Sequence, residues 1–587
     1  MKFYDTWQLD TFFKGGSRSQ AFVKALTQWK KNLSLFLSSF KKGKVDFTKA
    51  IDKWMDLRKH FREMDAFVLC LTVQNTDDEK ATTLQSEVTS LSAELLSATD
   101  TLLEALSKLS EKEFHALIKK PQFQGIAYPL TQKRKLFKEK LQLREEVLIQ
   151  GLSVDGYHGW HEAYSQLMGK MEIPFVKKGK KTTISCAEAD GLLSSANREE
   201  RKLAFECWNK TLHDNSFLFA QLFNHLSGFR LKVYEKRDWE GVLKEPLFYN
   251  RIQKESVECM WKVVQKNLQP FVKFLRKKAE CSGIKKGLAW YDLDAPLSSS
   301  QQKISYEKGS EIIQKSFSFY SDDMARFSEK ALTSKWIDAQ MRPKKAPGGF
   351  CVPFPNSKES RIFMTYSGSF ASLDTLAHEL GHGYHNKCVF HLPELAQDYP
   401  MSLAECASTL AEHMLYEEML REAKSSKERL SVLHNKAQRS VTFFMNINAR
   451  FSFECAFYKR RKEGFVPPDE ICKIMLDAQK KAFGGALTTY HPYFWASKQH
   501  FFFTEVPFYN FPYTVGYFFS LAITAEARRQ KKGFEEWYKA FLEDTGNASC
   551  EELALRYFGE DLSKERFWQK AMDVAIDDVE LFFKECK

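Results

Sequence analysis

Apolar residues recur at the three- and four-residue spacing of an α-helix along almost the whole chain. That periodicity constrains the fold more than any other feature. The stretch SRSQAFVKALTQWKKNLSLFLSSFKKG (17–43) shows it first, and 85–110, 132–152, 188–212, 252–280 and 425–462 repeat it. SAELLSATDTLLEALSKLSEKEF (92–114) suits antiparallel helices packed as hairpins. The expected fold is therefore mainly α. At 587 residues the chain exceeds one simple core and suggests two to four folding units. Its 43% apolar residues and 50 Phe can fill them, which excludes general disorder.

Two stretches break the helical pattern. KKGKKTTISCAEADGLL (178–193) holds a basic turn with a glycine, after which Ser185 or Cys186 precedes a helix carrying Glu188 in its first turn. A domain boundary is expected near residue 180, dividing the chain into 1–180 and 181–587. The second break, MRPKKAPGGFCVPFPNSKESRIFMTYSGSFA (341–371), is rich in Pro and Gly and ends in the strand-like SRIFMTYSG. A small β element is expected there.

The formal charge of +12 is spread along the chain, as in VKKGKK (176–181) and RRQKKG (528–533). Diffuse charge of this kind is a solvated surface, and no recognition motif accompanies it, so no nucleic-acid partner is expected. The 12 Cys contain no CxxC pair and read as reduced thiols of a cytoplasmic protein. The start, MKFYDTWQLDTFFKGG, shows no apolar signal region. VPFYNFPYTVGYFFSLAITA (506–525) has no charge, but its prolines, Asn510 and tyrosines fit a turn entering a buried helix. No membrane partner is expected.

The second break runs directly into TLAHELGHGYH (375–385). Ser372 is placed to cap a helix over about 373–388, with Asp374 in its first turn. On that helix His378 and His382 lie one turn apart on one face, so both imidazoles can reach a single ion. Glu379 projects about 100° round the axis, beside such an ion. This is the HExxH arrangement of two zinc ligands and a general base. The plain alternative is a solvent-facing polar stripe formed by Thr375, His378, His382 and His385. Gly381 and Gly383 speak against it. Each costs helix propensity, and close approach of another element would account for them.

A catalytic zinc needs a third protein ligand. His385 and Cys388 stand where the metzincin extension requires Gly and His, so that class is excluded. The following helix, YPMSLAECASTLAEHMLYEEML (399–420), carries Glu405 and Glu412 seven residues apart on one face. Small neighbours (Ala404, Ala407, Ser408) favour Glu405 as the ligand. Glu412 is the second choice, or a carboxylate that orients a ligand histidine. Ser402 with Glu405 could instead be a capping box.

GGFCVPFPNSKESRIFMTYSGSFASLDTLAHELGHGYH and LAECASTLAEHML resemble the M3 family of zinc metallopeptidases, most of all its oligoendopeptidase F branch. The similarity extends to LAWYDLDAPL (288–297), HFFFTEVPFYNFPYTVGYFFS (500–520) and WQLDTFFKGGSRSQAF (7–22). The resemblance implies one zinc per chain on His378, His382 and Glu405, with Glu379 as base. It places a His and Tyr pair on the opposite wall, carried over to His500 and Tyr513 with Tyr509 behind. Phe511 departs from the family's tyrosine-rich run. It further implies a two-lobed helical shell around a deep channel that admits short peptides, with 1–180 as lid or wall and 181–587 as the catalytic domain. The strand near 361–368 is expected to line the cleft and to accept a peptide as an added strand. An inactive peptide-binding scaffold and a zinc exopeptidase are the competing functions.

Overall fold

The computed structural model describes every residue except 1, 42–44, 178, 298–302, 531 and 587. Helix dominates, as the periodicity requires. The chain forms two compact units, each assembled from three separated stretches. The first unit comprises Met1–Leu143, Gln302–Glu418 and Glu526–Leu553; the second comprises Arg144–Gln301, Met419–Ala525 and Ala554–Lys587. Residue 180, where a boundary was expected, lies in the first stretch of the second unit.

In the first unit, helices Gln20–Ser39, Phe47–Gln74 and Glu79–Ser107 pack side by side. Asp46 and Asp78 start the second and third by accepting backbone N–H groups. The segment 92–114 is not itself a hairpin. Most of it continues the third helix, and the chain turns only at Ser110, whose capping box with Glu113 starts Glu111–Ile118. The hairpin partner of the third helix is the helix before it, across a four-residue connection. Phe22, Trp29, Trp54, Phe67 and Leu102 form the core, joined by Phe354, Leu395 and Ala396 from the second stretch.

That second stretch also builds the expected β element. Strands β3 (Ile337–Asp338), β4 (Phe350–Phe354) and β5 (Glu359–Phe363) make one sheet in the order β3–β5–β4. β5 pairs parallel with β3 and antiparallel with β4, from Phe350 opposite Phe363 to Phe354 opposite Glu359. The strand expected to accept a peptide is thus the central one, its backbone already paired on both sides. The free edge belongs to β4, where Pro353, lacking an N–H, is at home.

In the second unit, β1 (Glu172–Lys177) and β2 (Lys180–Ser185) form an antiparallel hairpin. Ser185 then caps Cys186–Leu192 in a capping box with Glu188, as expected. The uncharged segment at 506–525 enters helix Phe511–Arg529, whose apolar residues are buried. Among the described residues no helix is long and apolar enough to cross a membrane.

Candidate metal centre

The HExxH sequence lies on helix Phe370–Val389, which starts one turn earlier than expected. Ser369, not Ser372, is the cap: its Oγ accepts from the Ser372 N–H at 3.2 Å. The Ser372 hydroxyl instead donates to the Ser369 carbonyl at 2.8 Å. Asp374 consequently falls in the second turn. Two serines three residues apart are chemically equivalent caps, and only the path of the preceding loop selects one of them.

The second helix, Met401–Glu422, crosses the first at backbone contact. A Cβ on Gly381 would lie 2.7 Å from the Ala407 carbonyl oxygen and 2.9 Å from the Ala411 Cβ. A Cβ on Gly383 would lie 2.8 Å from the Phe327 ring. Close approach of another element accounts for both glycines, as expected. Ser402 lies inside this helix with its hydroxyl 3.5 Å from the Cys550 thiol, so it does not form the capping box that could have claimed Glu405.

This crossing brings three donors together. The rings of His378 and His382 have centroids 4.8 Å apart and stand nearly perpendicular. Glu405 Oε2 lies 3.5 Å from His378 Nε2 and 4.0 Å from His382 Nε2. One donor atom from each of the three falls within 4.8 Å of the others. Glu412 is on the other side of the His378 ring, its buried carboxylate 2.7 Å from Nδ1. It holds the proton on Nδ1 and leaves the Nε2 lone pair facing Glu405. Two imidazoles and one carboxylate converging this closely fit a borderline divalent ion such as zinc.

Glu379 sits beside the three donors. It is 6% exposed, and its Oε2 is buried without a hydrogen-bond partner. Burial raises its carboxyl to about 8, and the charge of Glu405 adds to the rise. Gly349, just before β4, faces it: a Cβ there would stand 3.6 Å from Glu379 Oε1. Burial lowers the pKa of His382, with Glu405 opposing. His385, the remaining histidine of the stripe, is structural. It is buried, stacks on Tyr399 at 3.8 Å, and its Nε2 meets the Thr545 hydroxyl at 2.8 Å.

His500, Tyr509 and Tyr513 belong to the second unit, where they form one aromatic cluster. Ring centroids are 5.4 Å apart for His500–Tyr509, 6.1 Å for His500–Tyr513 and 5.4 Å for Tyr509–Tyr513. His500 Nδ1 is buried without a partner. Burial, with the charges of Arg450 and Lys498, pushes this imidazole down to about 3. Tyr517, further along the same segment, is a core residue, stacked on Phe443 and bonded to Ser440 at 2.9 Å. Phe511 is fully buried against Phe451. Arg450, whose charge acts on His500, was not singled out in the sequence, where it is one cation inside the apolar run INARFSFECAF.

The sequence profile described as Peptidase family M3 matches residues 191–574, and the profile described as Oligopeptidase F matches 106–173. The group B oligopeptidase PepB of Streptococcus agalactiae is 24% identical over 553 residues, covering 91% of this chain and 89% of that protein. A crystal structure from Chlamydophila abortus superposes with a TM-score of 0.81 at 20% identity, covering 99% of this chain and 98% of that one. The oligoendopeptidase-F structure from Enterococcus faecium gives a TM-score of 0.70 at 17% identity, covering 96% and 99%.

Proposed function

This chain belongs to peptidase family M3, and from that premise we propose that it is a zinc-dependent oligoendopeptidase that hydrolyses internal bonds of short peptides. The observation that carries the proposal is the convergence of His378 Nε2, His382 Nε2 and Glu405 Oε2 beside an unpartnered, buried Glu379 carboxylate. His378, His382 and Glu405 would hold one zinc ion. When bound, that ion supplies the positive charge that makes water a nucleophile near neutral pH.

The chain's own residues do the rest. Glu379 accepts the proton from water and returns it to the leaving amine. Glu412 fixes the His378 tautomer and orientation through Nδ1. His500 and Tyr513, with Tyr509 behind, donate hydrogen bonds to the developing oxyanion. The free edge of β4 offers the peptide backbone a place to add as a strand. In this reading the partners are short peptides, with no nucleic acid or membrane, and the location is cytoplasmic. The names of the oligopeptidase and oligoendopeptidase relatives support the peptide substrates.

The test is mass spectrometry of one peptide blocked at both ends after incubation with the purified chain. Internal fragments are expected. Release confined to peptides with a free terminus would make the protein an exopeptidase. No cleavage despite bound zinc would leave only a peptide-binding scaffold.

A further inference from the structure

We propose that a cavity in the second unit, walled by Arg450, Lys498, His491 and Asn446, binds a carboxylate group of the peptide substrate. The inference rests on the peptidase reading and adds a substrate preference to it. The cavity measures about 140 Å³, and every residue lining it comes from the second unit.

Arg450 is the strongest indication. It stands on helix Ile447–Arg461 among buried neighbours such as Ala449 and Phe453. Its Nε donates to Asn446 Oδ1 at 2.9 Å, and its guanidinium lies 5.2 Å from the centre of the Phe494 ring. Among the described residues it forms no ion pair. Burial pulls it down to about 10, a sign that desolvation is not repaid inside the chain. A planar fork with free N–H groups facing a cavity is suited to a carboxylate, which it can bind in bidentate fashion.

His491 is a second, independent indication. It is 2% exposed, and both ring nitrogens are buried without a partner. Aromatic rings hem it in, with centroids of Phe205, Phe494 and Trp290 at 5.2, 5.6 and 5.9 Å. Burial keeps it neutral, with a pKa of about 3. It therefore presents one N–H donor and one lone pair. Leaving a buried N–H unmade is costly in the free protein, and a carboxylate oxygen in the cavity would accept from it.

The local backbone is shaped for the same purpose. A π-helical turn, Thr442–Asn446, interrupts the helical run and contributes Thr442 and Asn446 to the wall. Lys498 supplies a second cation, its Nζ 3.3 Å from Asp190 Oδ1. Asp190 and Asp294 also line the cavity, but they act on Arg450 only through their fields. The cavity adjoins the His500 cluster: Arg450 and Lys498 both act on His500, and Tyr513 acts on Arg450. A carboxylate anchored here would set the peptide's register along that wall.

Calorimetric titration of the full-length, zinc-loaded Glu379→Gln protein tests this. Four N-acetylated hexapeptides are compared: a neutral C-terminal amide, the same peptide with a free C-terminus, the amide with Glu replacing a Gln, and the amide with Lys there. At least one carboxylate peptide should bind about tenfold more tightly than the neutral amide. Which one does so separates a terminal from a side-chain carboxylate. Arg450→Met in the same protein should abolish the difference, and Arg450→Lys should restore part of it. Equal affinity for the neutral and both carboxylate peptides would overturn the proposal without needing any variant. So would tightest binding of the Lys peptide, or a preference that survives Arg450→Met. Cleavage by the unmutated enzyme is scored separately. Its absence, with the carboxylate preference intact, would sink the peptidase reading and leave the cavity assignment standing.

Discussion

Glu379, Glu405 and Glu412 lie within one short stretch of two helices yet face different surroundings, and the proposed mechanism gives them different tasks. Glu379 is buried and unpartnered, and in the proposed mechanism it takes the proton. Glu379→Gln should keep the metal and lower kcat by about 10²- to 10⁴-fold; zinc analysis showing the ion lost would contradict the division of roles. Glu405 faces both Nε2 atoms, so Glu405→Ala should release zinc at concentrations where the unmutated protein stays loaded. Glu412 meets His378 at Nδ1, away from the three converging donors, so Glu412→Ala should weaken zinc by about 10- to 100-fold. A larger loss for Glu412 than for Glu405 would reverse the two assignments. Another buried glutamate, Glu454, sits in the second unit. Burial raises Glu454 to about 8, partly offset by Arg230 and by the Asn510 amide that donates to it. A carboxyl whose folded pKa is raised contributes stability fully below its ordinary 4.5, and loses it as pH climbs through about 8. Melting curves should therefore shift in favour of Glu454→Gln over the unmutated protein as pH rises from 5 to about 8, and level off above it. A pH-independent difference would show that Glu454 is not protonated in the fold.

At the scale of elements, the crossing of helices Phe370–Val389 and Met401–Glu422 decides whether the donors meet. Gly381→Val would drive a side chain into the Ala407 carbonyl and the Ala411 methyl. The expected cost is about 1–3 kcal/mol, seen as a lower melting temperature together with weaker zinc binding. Unchanged zinc affinity would mean that the crossing does not set the site. The same crossing explains what the sequence could and could not disclose. Helical period alone places His378, Glu379 and His382, because all three ride on one helix. It cannot separate Glu405 from Glu412, which share a face. Only the interhelical contact shows that one meets Nε2 and the other Nδ1. The helix start was misplaced by one turn, at Ser372 in place of Ser369, because the two serines are equally good caps. The free sheet edge was misplaced because pairing partners, not strand propensity, decide which strand is central. Arg450 left no periodic signature, since one cation in an apolar helix looks the same whether it faces solvent or a cavity.

At the scale of the molecule, each unit is built from three stretches distant in sequence, so neither contiguous half of the chain holds a complete unit. The first 143 residues carry none of the proposed chemistry, but they cover part of the core beneath the sheet. Phe354, Leu395 and Ala396 share their apolar cluster, and Arg58 and Arg62 pair with the buried Glu394 at 2.9 and 3.3 Å. A fragment of residues 144–587 should therefore bind a hydrophobic dye, melt without a cooperative transition and hold no zinc, as read by dye fluorescence, circular dichroism and metal analysis. A cooperative melt with zinc retained would show the first stretch to be dispensable. The central claim, that one zinc on His378, His382 and Glu405 drives internal peptide cleavage, is tested most directly by titrating zinc into the chelator-treated full-length protein while a doubly blocked peptide is digested. Internal cleavage should rise from zero and level off at one zinc per chain; cleavage that persists without metal, or that never appears at full occupancy, would contradict the account.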